Sequence, residues 1–177
     1  MSRALLVIDV QESFRTRPDW ADMHNPDIAT PVGRLVDAAR SAGELVVWVL
    51  HSEPGTGTVF DPQQGHVQVL SELKPDGDEP VVVKTSVNAF TTTNLQQLLM
   101  QHGVREVVIC GIRTEQCCET TARVAGDLGF DVTFVTDATT TSGIPGLSAE
   151  QIIERTESVL RAREFATIAT TDELTGA

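Results

Sequence analysis

Basic residues are scarce in this chain: 13 Lys and Arg stand against 25 Asp and Glu, a formal charge of −12. They are spread along the sequence and form no patch that could neutralise phosphates, which argues against nucleic acid or an anionic membrane as partner. Long apolar runs are missing too, and nothing approaches the roughly 18 residues of a spanning helix. No basic segment precedes the apolar start at Ala4, so a cytoplasmic location is expected. With only 3 cysteines, Cys117 and Cys118 adjacent among them, there is no disulfide framework, and an odd count points to thiols. HExxH, paired CxxC, GxSxG and GxxxxGK are all absent, which leaves no recognisable metal, serine-elbow or phosphate-loop motif. No internal repeat or low-complexity tract is found.

What is present is a regular alternation. A chain of 177 residues, 41% of them hydrophobic, fits one domain over residues 1–177 with a large core. Near-continuous apolar runs at 4–10, 45–50, 81–83, 107–110, 132–135 and, more weakly, 166–169 predict parallel strands buried on both faces. Helices are expected between them. One opens at Thr30-Pro31 and stops at Gly43; one runs from about Asn94 to His102; one from about Thr114 to Gly129; one opens on the capping box Ser148-Ala-Glu-Gln and ends near Arg163. The expectation is an α/β fold: a three-layer, Rossmann-like α/β/α arrangement around a six-stranded, mostly parallel sheet. The stretch 52–80 is too long for a simple connection and reads either as a lid or binding loop or as a surface excursion.

Ligands of open parallel sheets bind beyond the carboxyl ends of the strands. Those ends carry Asp9, His51, Lys84, the segment 111–118 and Asp137. Asp9, at the mouth of a buried strand, would be desolvated, with a raised pKa that suits proton transfer; equally, it could cap the loop 11–14. Lys84 could hold Asp9 ionised, assist a thiolate, or snorkel to solvent. Cys117 lies near a helix start with Thr114 as the expected cap. Free N–H groups and the helix dipole there would lower its pKa below about 8.5 and could hold an oxyanion. The alternative for Cys117 is plain burial. Cys110 and Cys118 read as core.

Three blocks carry a resemblance: Leu-Leu-Val-Ile-Asp-Val-Gln-Glu-Ser-Phe (5–14), Val-Lys-Thr-Ser-Val-Asn-Ala-Phe (83–90) and Cys-Gly-Ile-Arg-Thr-Glu-Gln-Cys-Cys-Glu-Thr-Thr-Ala-Arg (110–123), followed by Gly129-Phe130 and residues 135–138. In order and content they resemble the isochorismatase-like cysteine hydrolases, which include nicotinamidases and N-carbamoylsarcosine amidohydrolase. The resemblance implies a catalytic triad of Asp9, Lys84 and Cys117. Cys117 would attack a carbonyl and form a thioester, Asp9 would move the protons, and Lys84 would stabilise the charged pair. It further implies a cis peptide between Ile112 and Arg113, an oxyanion hole from the N–H groups of Arg113 and Cys117, and assembly into a homodimer or homotetramer.

Departures narrow the expectation. Nicotinamidases carry an Asp-x-His metal pair after the second strand, whereas here Val49 precedes His51 by two. That argues against nicotinamide as substrate and against a metal; no cofactor is expected. Relatives that cleave the isochorismate vinyl ether usually lack the cysteine, so Cys117 favours hydrolysis of a C–N bond in a small amide or ureido compound. The rivals are vinyl ether hydrolysis and a non-catalytic, partner-binding member of the fold. Phe14, Trp20, His51 and Phe90 are candidate pocket residues, with core packing the alternative for the aromatics.

Overall fold

The computed structural model describes residues 2–176. Six strands form one sheet: β1 (Ser2–Ile8), β2 (Leu45–His51), β3 (Val81–Lys84), β4 (Val104–Ile112), β5 (Asp131–Thr140) and β6 (Thr167–Ala169). Their spatial order is β3-β2-β1-β4-β5-β6 and each neighbouring pair is parallel, so the sheet is wholly rather than mostly parallel.

Alternation along the strands divides the core in two. Leu5 and Val7 of β1, Val46 and Trp48 of β2, and Val108 and Cys110 of β4 face α2 (Ala29–Ser41) through Val32, Leu35 and Val36. Ala4, Leu6 and Ile8, Val47 and Val49, and Val107 and Ile109 face the other way. There they meet α3 (Leu95–Gln101), α4 (Glu119–Asp127) and α5 (Ala149–Ala162) through Leu95, Leu99, Ala122 and Leu160. Each large apolar side chain so buried stabilises the fold by about 1.5–3 kcal/mol. The expected capping box on α5 is present: Ser148 Oγ accepts from the N–H of Gln151 at 3.3 Å and Gln151 Oε1 from that of Ser148 at 2.9 Å. Two short helices, α1 (Glu12–Arg15) and α6 (Thr171–Thr175), and 3-10 turns at Pro18–Asp22 and Pro62–Gln64 lie in segments without helical periodicity.

The expectation of burial on both faces fails at β3. As an edge strand it leaves Val81 47% and Val83 50% exposed, because among the described residues no helix covers that side of the sheet margin. β4 and β5 run longer than their apolar runs, since Gly111, Thr139 and Thr140 stay in the ladder despite their composition.

Chain order reverses between β1 and β4, which opens a crevice at their carboxyl ends. Gly111 sits there with φ +133°, and a Cβ on it would stand 1.9 Å from the carbonyl oxygen of Ile8. Only glycine lets β4 come this close to β1 one residue before Asp9. The stretch 52–80 is tied down along its length. Leu70 N–H donates to Val10 O at 3.1 Å, Glu12 N–H to Gln68 O at 2.9 Å, and Ser13 Oγ to His66 O at 2.8 Å. Its first part turns back over the crevice and buries Phe60 there.

Candidate active site

Asp9 ends β1 with a left-handed backbone, φ +54°, which the short polar side chain of aspartate tolerates better than most. Its carboxylate is fully buried. Lys84, the last residue of β3 and also fully buried, reaches back over β2 to place Nζ 2.8 Å from Asp9 Oδ2. The same ammonium is 3.4 Å from Cys117 Sγ, 3.2 Å from the carbonyl oxygen of Ser86 and 3.3 Å from His51 Nδ1. Thus the three side chains that the resemblance groups do meet, from β1, β3 and the turn after β4.

Electrostatics follows from burial. Removal from water raises the Asp9 pKa, and the opposing pull of Lys84 only partly offsets it. Neither carboxylate oxygen has a well-directed hydrogen bond among the described residues, so the contact with Lys84 is an ion pair and acceptor capacity is left over. Burial alone would lower Lys84, but the charges of Asp9 and Cys117 hold it above the ordinary lysine value. The Cys117 thiol is pushed up to about 12, first by burial and then by Asp9, with Lys84 opposing. This runs against the expectation of a thiol acidified by a helix start: Cys117 is only 8% exposed, and desolvation disfavours the anion. Cys110 and Cys118 are fully buried, and their thiols are raised by burial as well.

The local backbone differs from expectation in one respect. Thr114 is not a helix cap; it opens a π-helical turn, Thr114–Cys118, that leads into α4. Its hydroxyl donates to Thr139 Oγ1 at 2.9 Å and pins the turn to β5. The N–H groups of Gln116 and Cys118 both turn back to the carbonyl of Arg113, at 3.3 and 3.1 Å. The peptide bond between Ile112 and Arg113 is cis.

A cleft of about 510 Å³ opens over Cys117 and Asp9, walled by Phe14, His51, Phe60, Arg113 and Ser142. Phe14 and Phe60 meet edge to face at 5.0 Å. Two of the four candidate pocket residues are therefore at the cleft and two are not. Trp20 packs on the outside of the core with the Arg15 guanidinium over its ring at 5.9 Å. Phe90 stacks on Phe130 at 6.2 Å in the core layer that also holds Cys117, and does not line the cleft. Closeness in sequence misled for both, because a strand end and the following turn diverge within a few residues. Asp137 is also displaced from the site: β5 continues to Thr140, and Asp137 accepts from Thr171 to cap α6.

Several cleft residues escape sequence reasoning. Arg113 figures there only by its backbone, yet its guanidinium bonds Ser142 Oγ, reaches Asp19 Oδ2 at 2.7 Å and lies 5.7 Å over the Phe14 ring. Burial would raise Asp19, but Arg17 and Arg113 beside it bring it down to about 2. Gln11 is fully buried and holds the backbone of His51 from both sides, accepting from its N–H at 2.7 Å and donating to its carbonyl at 3.0 Å. Among the described residues no set of three or more His, Cys, Asp and Glu side chains is gathered as metal ligands would be, and no helix is long and apolar enough to cross a membrane.

A family model described as an isochorismatase domain matches residues 3–173. The isochorismatase family protein YrdC of Bacillus subtilis is 30% identical over 97% of this chain and 94% of its own. Streptothricin hydrolase of Streptomyces noursei is 35% identical over 93% of this chain, which spans 59% of that protein. Ureidoacrylate amidohydrolase RutB of Variovorax paradoxus is 27% identical over 77% of this chain and 68% of its own. Among solved structures, a cysteine hydrolase from Pseudomonas syringae pv. phaseolicola superposes with a TM-score of 0.87 at 26% identity, covering 98% of this chain and 91% of that one. An isochorismatase from Pseudomonas putida gives 0.86 at 32% identity, covering 97% and 89%.

Proposed function

The chain belongs to the isochorismatase family of hydrolases, and from that premise we propose that it is a cofactor-free cysteine hydrolase cleaving a C–N bond of a small amide or ureido compound. The observation that carries the proposal is the buried cluster itself: a thiol 3.4 Å from an ammonium that is 2.8 Å from a carboxylate with free acceptor capacity. One relative named for its reaction, a ureidoacrylate amidohydrolase, supports the choice of bond.

The chemistry would run as follows. Cys117 rests as the thiol and Asp9 as the carboxylate paired with Lys84. When a substrate carbonyl enters, Asp9 takes the thiol proton as sulfur attacks the carbonyl carbon. The N–H groups of Arg113 and Cys117 would receive the oxyanion. Collapse of the adduct breaks the C–N bond, the leaving nitrogen takes the proton from Asp9, and a thioester remains. Asp9 then deprotonates a water that attacks the thioester, which releases the acid and returns the proton to sulfur. Throughout, Lys84 would keep the net charge of the buried site low. The cleft volume of about 510 Å³ lies in the range of small-molecule sites.

The test is release of ammonia or amine from a panel of small amides and ureido compounds. Cys117→Ala should lower turnover by roughly 10³ or more, the usual cost of losing a member of a nucleophile–base set. Cys118→Ala should cost mainly stability. If Cys118→Ala were the inactive variant and Cys117→Ala the active one, the nucleophile would be the wrong one of the pair.

A further inference from the structure

Lys84 has more neighbours than its reaction partners, and one of them carries its own orienting group. His51 Nδ1 lies 3.3 Å from Lys84 Nζ, and on the other side of the ring Nε2 lies 3.4 Å from Glu53 Oε1. Glu53 is in turn held by Thr58, whose hydroxyl donates to Glu53 Oε2 at 2.8 Å. Gln11 clamps the backbone of His51 through both its N–H and its carbonyl, and the Phe60 ring meets the imidazole edge-on at 5.5 Å. The ring is thus fixed in position and tilt.

The donor and acceptor inventory then fixes its protonation. An ammonium only donates, so the contact with Lys84 requires a lone pair on Nδ1; a carboxylate only accepts, so the contact with Glu53 requires a proton on Nε2. We propose that His51, held by Glu53 in its Nε2–H form, is a positioning residue that aims the Lys84 ammonium at Asp9 and Cys117. The idea rests on the cysteine-hydrolase reading and adds to it a reason for a histidine at the end of β2. Lys84 comes from an edge strand, at the end of a flexible four-carbon stem. Asp9 draws the ammonium by charge alone, whereas His51, the Ser86 carbonyl and Cys117 Sγ take its three donor directions and so hold it turned toward the sulfur. The charged groups around the imidazole are Lys84 from β3, Glu53 from the segment after β2, and Asp9 from β1.

Two measurements test this on the intact protein. Nitrogen-15 spectra of the histidine rings, with His51 assigned by its loss in His51→Asn, report the tautomer directly. The expected result at neutral pH is a neutral Nε2–H ring, and an Nδ1–H ring or an imidazolium there would overturn the proposal. The second measurement is the rate of Cys117 alkylation by iodoacetamide at fixed alkaline pH. His51→Leu should slow it by roughly threefold to tenfold, the effect of one net hydrogen bond on the ammonium that favours the thiolate. His51→Asn, whose amide oxygen can occupy the Nδ1 position, should restore most of the rate. Wild-type rates in His51→Leu, or no recovery in His51→Asn, would refute the positioning role. The tautomer is read on wild-type protein, so a leucine variant that fails to fold leaves the question decidable. An unchanged alkylation rate in Lys84→Met would instead count against the triad, whatever the tautomer.

Discussion

Before sulfur can attack a carbonyl, a proton has to leave Cys117, and the residues around it decide at what pH. With the thiol held up at about 12, thiolate is scarce near neutrality, and iodoacetamide should react slowly until well into the alkaline range. The signs for the neighbours are opposite. Asp9 raises the thiol, so Asp9→Asn should shift the alkylation curve to lower pH; Lys84 lowers it, so Lys84→Met should shift the curve to higher pH. Removing one partner of a buried pair typically costs about 3–5 kcal/mol, so each variant needs a thermal melt showing that it is folded. A curve rising near pH 8.5 in wild type, unmoved by either substitution, would show that neither group acts on the sulfur. In turnover, Asp9 must be ionised to take the proton. Its raised pKa places the acid limb of kcat/KM above about 3.9, the ordinary aspartate value. Asp9 and Lys84 stand out in sequence because each directly follows an apolar run, whereas Cys117, separated from its run by residues 111–116, stands out only by an expected helix start and by the resemblance. The acidity of the thiol was not legible, since helix position shows in sequence and depth of burial does not.

The strands explain both what could be read and what could not. β1, β2 and β4 lie at the centre of the sheet, and their runs of Val, Ile and Leu mark them plainly. The strand order, with its reversal between β1 and β4, has no signature in any one segment, and neither does the π-helical turn that carries Cys117. The 3-10 turn at Pro18–Asp22 was missed for a related reason: it is held by Asp19 pairing with Arg113 from a distant part of the chain. β2 also bears on metal dependence. Val49 and His51 share a face of that strand, and Val49 is fully buried among Ile8, Val47 and Val82. A methyl-bearing side chain therefore stands where the nicotinamidase pattern has a carboxylate, and His51 is already engaged by Lys84 and Glu53. Prolonged dialysis against a chelator should leave hydrolysis intact. Activity lost on dialysis and restored by zinc, manganese or iron would reveal a metal site.

At the scale of the whole molecule, the excess of carboxylates becomes a single field. The charge is −12, and a folded chain of this length has a radius of gyration of about 16 Å. In about 0.01 M salt the screening length is about 30 Å, so nearly every surface charge feels every other and the negative excess gives a net repulsion; at about 0.15 M it falls to about 8 Å and most of that repulsion is lost. The same salt also weakens surface ion pairs, which acts in the opposite direction. Pairs such as Arg34 with Asp172 at 2.7 Å and Arg40 with Glu79 at 2.8 Å are in contact, far inside the screening length at either concentration, and exposed pairs contribute at most about 1 kcal/mol each. Long-range repulsion should therefore dominate the salt response. Thermal melts at pH 7 should show Tm rising by roughly 2–4 °C between these two salt concentrations, the shift produced by about 1 kcal/mol in a domain of this size. A Tm that fell instead would mean that the contact pairs outweigh the net charge in setting stability.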